Sequence, residues 1–412
     1  EADRGRVFST LLVASTVLLA LVALLLAWAP DPLVKLSIGT LDRRLFAATL
    51  ALMVLTGQRT LILNLFRATN RLIQRSVLDL ASSTLDLFAI VGALLGGASL
   101  LGAMLASVAV NVLTVIVGLG LAFRVAPARI PSLSMLAEAA RYGIPLVPAT
   151  LASWTLDRGD RFVISHFLDQ HAVGTYSTHY ALAALLGLVL APIQTTLAPN
   201  IVPLWDTDRA LSAKYVAACF RVYWLAWCLF LAVVPTLSVP VLDLFGDATL
   251  SEGAFLNVLL ISTGVGMWGL GTIVQMPLFA SKATGSIGAT TFLGAALNLG
   301  LNVVLVPSFG IRAAAAATLA TYAATYALFA RATARTISID LGWRENARAA
   351  LAGLGVGLGL ALVRPTSLAA VIGSGAAALC SYLLLLWWLG AASQEEKSWL
   401  QDAVRRRWGR RS

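Results

Sequence analysis

The sequence predicts an all-α protein that crosses a lipid bilayer about twelve times, and three observations predict it. Of 412 residues, 58% are hydrophobic and only 12% charged, with a mean hydropathy of +0.83. A soluble domain carries about twice that share of charge, and no soluble core absorbs so much apolar surface. The apolar stretches recur at about 20 residues, the length of a helix spanning hydrocarbon. None shows the short alternation of barrel strands.

In chain order the expected spans cover 7–29, 45–66, 76–97, 100–122, 142–164, 178–204, 215–245, 254–280, 286–306, 311–330, 349–363 and 368–390. The seventh and eighth are long, so tilting or kinking at Pro235, Pro240 and Pro277 is expected. The eleventh is short and Gly-rich. Cys219, Cys228 and Cys380 fall in or beside spans, which points to small core-filling residues rather than disulfides or a metal site. No cleavable signal peptide opens the chain, and it begins at Glu1 rather than Met, which suggests that something upstream is missing.

The chain has 30 Lys and Arg residues. With residues 1–6 cytoplasmic and the spans alternating, 22 fall on the inside and 5 on the outside. That asymmetry sets the orientation: an even number of spans in the cytoplasmic (inner) membrane, with both ends cytoplasmic. Arg221 and Arg312, near the ends of their spans, are counted with the adjoining segments, and the remaining three, Arg59, Arg158 and Arg161, lie deep within spans. The net charge of +10 is then a topology signature rather than a nucleic-acid footprint. The tail Arg405-Arg406-Arg407-Trp408-Gly409-Arg410-Arg411 is expected on anionic headgroups, and no nucleic-acid partner is expected.

The third and fourth spans resemble the ninth and tenth. Each pair is a helix with polar spots, a tight turn and an Ala-rich helix. Gly96-Gly97-Ala98-Ser99 stands in one turn and Pro307-Ser308-Phe309-Gly310 in the other. Small residues after each turn allow close helix packing. A six-span period predicts two pseudo-symmetric lobes, with a substrate site in a central cavity between them. Two helices before Glu1 would then be absent. The expected divisions are 1–123 for the remainder of the first lobe, a cytoplasmic linker 124–141, a second lobe 142–333, a loop 334–348, two additional spans in 349–390 and the basic tail 391–412.

Asp157-Arg158-Gly159-Asp160-Arg161 puts four charges in five residues of one apolar stretch. An ionisable residue at a helix centre costs roughly 2.5–3.5 kcal/mol on insertion scales, so such residues face a protein interior or a watery path. The two Arg lie three apart on one face and the two Asp on a neighbouring face. They either line a charged cavity or pair among themselves at i,i+3 and i,i+4. Asp86, mid-span, is a candidate for carrying a coupling proton or cation, or for pairing with Arg59. Gln194, Gln275, Asn298 and Asn302 place amides inside spans, for contact with a polar cargo or for helix–helix hydrogen bonds. His166, His171 and His179 surround one outer loop without metal-ligand spacing and are expected to be solvated. No metal site, nucleotide-binding loop or catalytic constellation is present, so no enzyme and no cofactor is expected. Any driving force would come from a proton or sodium gradient or the membrane potential.

Several stretches resemble the polysaccharide-unit flippases of the multidrug/oligosaccharidyl-lipid/polysaccharide exporter superfamily. Tyr142-Gly143-Ile144-Pro145-Leu146-Val147-Pro148, Ser153-Trp154, Asp160-Arg161, Ala172-Val173-Gly174-Thr175-Tyr176-Ser177, Tyr180 and Pro192-Ile193-Gln194 are similar to that family's seventh and eighth helices. Gly294 to Asn302, with Val306-Pro307 and Phe309-Gly310, is similar to its eleventh helix and the turn that follows. Arg312 departs from the pattern, where Gly is common. The resemblance implies flipping of polyprenyl-diphosphate-linked oligosaccharides by alternating access. It also implies a bilayer setting, with a polysaccharide polymerase and assembly proteins as partners; a monomer is expected because the two lobes already form a complete cleft. Arg donates the bidentate hydrogen bonds that a diphosphate accepts. On this reading Arg59 is the leading phosphate ligand, beside Gln58, and Arg158, Arg161, Gln194, Asn298 and Asn302 are further substrate contacts. Asp86, Asp157 and Asp160 are ion-coupling or charge-pair candidates. The competing readings are a cation-coupled multidrug antiporter, a peptidoglycan-precursor flippase, and, from another class, a membrane glycosyltransferase or polysaccharide polymerase.

Overall fold

The computed structural model describes residues 2–38, 41–144, 147–245, 248–363 and 365–391. Arg364, Pro145, Leu146 and the basic tail from residue 392 lie outside the described residues. Among the described residues every regular element is a helix, and the chain divides into two compact units, Glu1–Val147 and Pro148–Ser412.

The first unit holds α1 (Ala2–Ala27), α2 (Asp31–Ile38), α3 (Arg43–Ala68), α4 (Leu72–Leu95), α5 (Leu100–Val125) and α6 (Leu133–Gly143). Asp42 and Ser99 supply the oxygens that cap α3 and α5. A core of Phe8, Ile62, Phe66, Leu78 and Ala122 holds α1, α3, α4 and α5 together. The stretch expected as a linker, 124–141, contains most of α6. This helix packs on α1 and belongs to the first unit.

The second unit holds α7 (Val147–Phe167), α8 (Gln170–Ala184), α9 (Gly187–Thr207), α10 (Arg209–Asp243), α11 (Ala248–Ser251), α12 (Ala254–Val274), α13 (Met276–Ala280), α14 (Thr284–Ala334), α15 (Trp343–Ala361) and α16 (Leu368–Trp388). The aromatic core of Phe220, Tyr223 and Trp227 requires glycine opposite it. A Cβ on Gly266 would overlap the Trp227 ring nitrogen. The two additional helices α15 and α16 dock on α10. Arg221 donates to Asn346 Oδ1 at 2.6 Å and to Ala391 O, and Trp224 Nε1 donates to Asn346 O.

Among the described residues eight helices are long and apolar enough to cross a membrane, or nine if the bent α8–α9 pair counts as one. All twelve expected spans fall on helices, with three differences. The sixth is broken, α8 and α9 meeting at 52°. The ninth and tenth lie within α14 as two helices that meet at the turn around Gly310, as expected. The eighth breaks at Gln275, just before Pro277, whereas α10 runs helically through Pro235 and Pro240. The eleventh starts earlier than expected, α15 running from Trp343. The fifth, α7, is not among the eight because it carries the four-charge cluster. The lipid-facing surfaces are plain from exposed side chains such as Leu25, Phe88, Leu95 and Trp387. Of the cysteines, Cys228 alone is buried; Cys380 is exposed and Cys219 half-buried, so core filling accounts for only one.

The repeat is visible in the burial pattern. The buried residues of α5 recur in the second half of α14 at a constant separation of 211: Ala103 with Ala314, Ser107 with Thr318, Asn111 with Tyr322, Thr114 with Thr325, Gly118 with Phe329, and Ala122 with Thr333. Both tight turns carry a left-handed glycine, Gly97 at φ 80° and Gly310 at φ 66°. Gly310, with ψ −151°, occupies a region essentially closed to L side chains. Gly310→Ala is expected to lower stability by about 1–3 kcal/mol, read as a drop in the melting temperature of the purified protein. Gly300→Ala, with open space around its Cβ, serves as the control.

Candidate functional site

Each unit carries a polar patch inside an otherwise apolar bundle. In the second unit the patch begins with the four charges of α7. Arg158 pairs with Asp157 at 3.1 Å, both well exposed. Arg161 pairs with Asp160 at 3.1 Å, and the Asp160 side chain is only 3% exposed. The pairs therefore form between neighbours in sequence rather than at i,i+3 or i,i+4. The longer-range link is Arg161 donating to the Asp157 carbonyl at 3.0 Å.

Tyrosines from two other helices complete this patch. Tyr176 on α8 donates to Asp160 Oδ2 at 2.6 Å and sits 3.2 Å from Thr318 Oγ1 on α14. Tyr180 donates to Asp157 Oδ1 at 3.2 Å, and the Arg161 guanidinium lies 4.5 Å from its ring centroid. Tyr322 donates to the Leu156 carbonyl at 3.4 Å. A carboxylate this deep persists because a cation and a hydroxyl both compensate it. Thr318 has a single proton for two neighbours, the Ala314 carbonyl at 3.0 Å and Tyr176 Oη, so the network can be rearranged.

The hairpin of α14 adds amides. Asn302 Nδ2 donates to Asn298 O at 2.8 Å and to Asn298 Oδ1 at 3.2 Å. Both side chains are buried, yet Asn298 Nδ2, Asn302 Oδ1 and Thr321 Oγ1 have no partner among the described residues. Buried unpartnered groups are uncommon and call for an explanation. A Cβ on Gly294 would lie 2.8 Å from Thr325 Oγ1, and this fixes the hairpin register. Asn298 then faces the level of Thr321, and Asn302 that of Thr318. The unpartnered amide groups and the Thr321 hydroxyl thus lie at the helical levels flanking Thr318. Gln194, by contrast, lies on α9 and donates to Thr272 Oγ1 at 3.2 Å, away from this group.

In the first unit Arg59 is the centre. The expected partner, Asp86, is not the one it takes. Arg59 Nη2 donates to Asp79 Oδ1 at 2.6 Å, to the Asp79 carbonyl at 3.3 Å and to Ser83 Oγ at 3.0 Å. Asp79 lies two helical turns nearer the start of α4 than Asp86, at the depth Arg59 reaches. These bonds all use one nitrogen, and among the described residues the buried Arg59 Nε has no partner. Asp86 Oδ1 is likewise buried and without a partner among the described residues. Gln58 is buried, donates weakly to Ser15 Oγ at 3.4 Å, and its Oε1 has no partner among the described residues. Ser82, Ser107, Asn111 and Thr114 are buried on the same helix pair, α4 and α5.

The histidines divide. His166 and His171 are exposed, but His179 is fully buried, with Nε2 2.7 Å from the Leu250 carbonyl and Nδ1 3.2 Å from Asn257 Nδ2. Its expected solvation is therefore wrong; it fastens α8 to the chain around α11 and α12. No group of three metal-ligating residues occurs among the described residues. Sequence reasoning misses Tyr322, Thr318 and Thr321 as site residues. A signal for them exists: hydroxyls four apart at Tyr176/Tyr180 and Thr318/Tyr322 place two aligned polar faces on apolar helices.

The polysaccharide biosynthesis protein family model matches residues 2–205. No curated protein matches the chain closely enough to count as a relative. Among solved structures, the lipid II flippase MurJ in an inward closed conformation aligns with a TM-score of 0.78 at 11% identity, covering 98% of this chain and 86% of that one. A point mutant of a MATE protein aligns with a TM-score of 0.57 at 13% identity, covering 80% and 78%. Both neighbours belong to the multidrug/oligosaccharidyl-lipid/polysaccharide exporter superfamily. The chain has their fold and is a multi-pass membrane protein, as the sequence implies.

Proposed function

We propose that this chain, whose residues 2–205 match the polysaccharide biosynthesis protein family model, is a flippase. It moves polyprenyl-diphosphate-linked oligosaccharide units across the cytoplasmic membrane for surface polysaccharide assembly. The observation that carries this reading is Arg59, a deep membrane cation whose bonds all leave through one nitrogen. Its remaining donors suit a diphosphate. Gln58 would contact the same cargo. Arg158, Arg161, Gln194, Asn298 and Asn302 are proposed contacts at other stages of transport, and alternating access is the proposed motion. Asp160, with Asp157 and Asp86 as alternatives, would carry the coupling proton or monovalent cation. The protein is proposed to act as a monomer with both ends cytoplasmic, beside a polymerase and assembly proteins.

The second reading is a peptidoglycan-precursor flippase, favoured by the fold shared with MurJ. One experiment separates them. Proteoliposomes are loaded with a lipid-diphosphate oligosaccharide or with lipid II, and leaflet-resolved flipping is measured. Flipping of the oligosaccharide is expected. Flipping of lipid II alone selects the second reading, and cation-driven dye export without either points to an antiporter.

A further inference from the structure

A cavity of about 360 Å³ opens at the end of the second unit where α10 begins. It is large enough for a small ligand. Its walls are one face of α10 and the segment that follows α14. Arg209 and Lys214 stand on that face, and neither forms an ion pair among the described residues. The Arg209 guanidinium is held 4.8 Å from the ring centroid of Trp205, itself buried, so its position is set by packing. Ala210, Ala213 and Ala217 leave the floor between the cations smooth and apolar, and Ile337 closes the far side. Asp340 is the one acid on the lining, and its Oδ1 already accepts from the Gly342 amide at 3.1 Å.

Two cations above an apolar floor, at the mouth of a membrane-spanning helix and beside a tryptophan, match the mixed chemistry of a lipid at the interface. Tryptophans gather at that depth, and basic pockets between spanning helices bind phosphorylated headgroups. We infer that this cavity binds the headgroup of an anionic phospholipid, its phosphate between Arg209 and Lys214 and its first carbons over the alanine face. The cavity is a different place from the Arg59 and Asp160 patches, and the inference does not depend on what the protein transports.

The test is native mass spectrometry of the full chain in detergent, titrated with phosphatidylglycerol or phosphatidylcholine. Phosphatidylglycerol is expected to bind preferentially. Arg209→Ala with Lys214→Ala should weaken it by about fivefold per cation removed, while Arg209→Lys with Lys214→Arg keeps most of the affinity. Asp340→Asn should tighten binding, a gain that a misfolded variant cannot mimic. Arg67→Ala with Arg71→Ala removes the same charge elsewhere and should change nothing. Equal loss in that control, equal binding of phosphatidylcholine, or an unchanged affinity in the Arg209/Lys214 alanine variant overturns the site. Displacement of the lipid by millimolar inorganic phosphate would make free phosphate the ligand and overturn the lipid assignment.

Discussion

Asp160→Ala is expected to destabilise the protein, and Asp160→Asn to leave it folded but weak in gradient-driven flipping. Removing the carboxylate strips Arg161 of its partner and Tyr176 of the acceptor at 2.6 Å, in a place where the Asp160 side chain is 3% exposed. Breaking a buried pair from one side costs about 3–5 kcal/mol. Arg161 keeps partial access at 19%, which puts the cost at the lower end. An asparagine amide at this position still accepts from Tyr176 and keeps the volume, so the fold survives while the charge is gone. If Asp160 couples transport to an ion, the flipping rate under an imposed gradient should fall by on the order of tenfold or more, a typical coupling strength. Flipping without a gradient should change far less. Wild-type gradient dependence in the folded asparagine variant would reduce Asp160 to a structural pair. Tyr176→Phe refines the test, because it removes the hydroxyl that joins Asp160 to Thr318 and leaves the charge untouched.

The fold is legible in the sequence because membrane helices declare themselves by composition and length, without tertiary information. All twelve stretches land on helices for that reason. Their interruptions are less legible. Gly310 is readable, since Pro307-Ser308-Phe309-Gly310 followed by small residues is turn chemistry. The 52° break at Leu185-Leu186 is not, because two leucines carry no turn signal and the lone Gly187 after them is a weak one. Charge pairing divides in the same way. The identity of the span-embedded charges is plain, but a helix sequence does not fix the depth of its neighbour. Sequence alone matches Arg59 to Asp86, although its reach ends at Asp79. His179 is misjudged when proximity to a loop is equated with solvent. Its burial depends on Asn257 and Leu250, more than 70 residues away in the chain.

The Arg59 variants carry the second large effect, and they separate binding from structure. Arg59→Ala leaves Asp79 unpaired, but Asp79 is 47% exposed, so the loss of stability should be only about 0–1 kcal/mol, as for other accessible ion pairs. Flipping of a lipid-diphosphate oligosaccharide should nevertheless fall by roughly tenfold or more, because a charge-assisted bond to phosphate is worth about 1.5–3 kcal/mol. Arg59→Lys retains the charge without the planar fork and should fall between. The deciding variant is Asp79→Asn. If Arg59 serves only to neutralise Asp79, both residues are equivalent and removing either gives the same transport defect. If Arg59 binds the diphosphate, Asp79 is a competitor that holds Nη2, and its removal should preserve flipping or raise the apparent affinity for the cargo. Exchanging the two, Arg59→Asp with Asp79→Arg, restores the pair but moves the cation to α4. Recovery of transport in the exchanged protein would mean that the pair, and not the position of the guanidinium, is what transport requires.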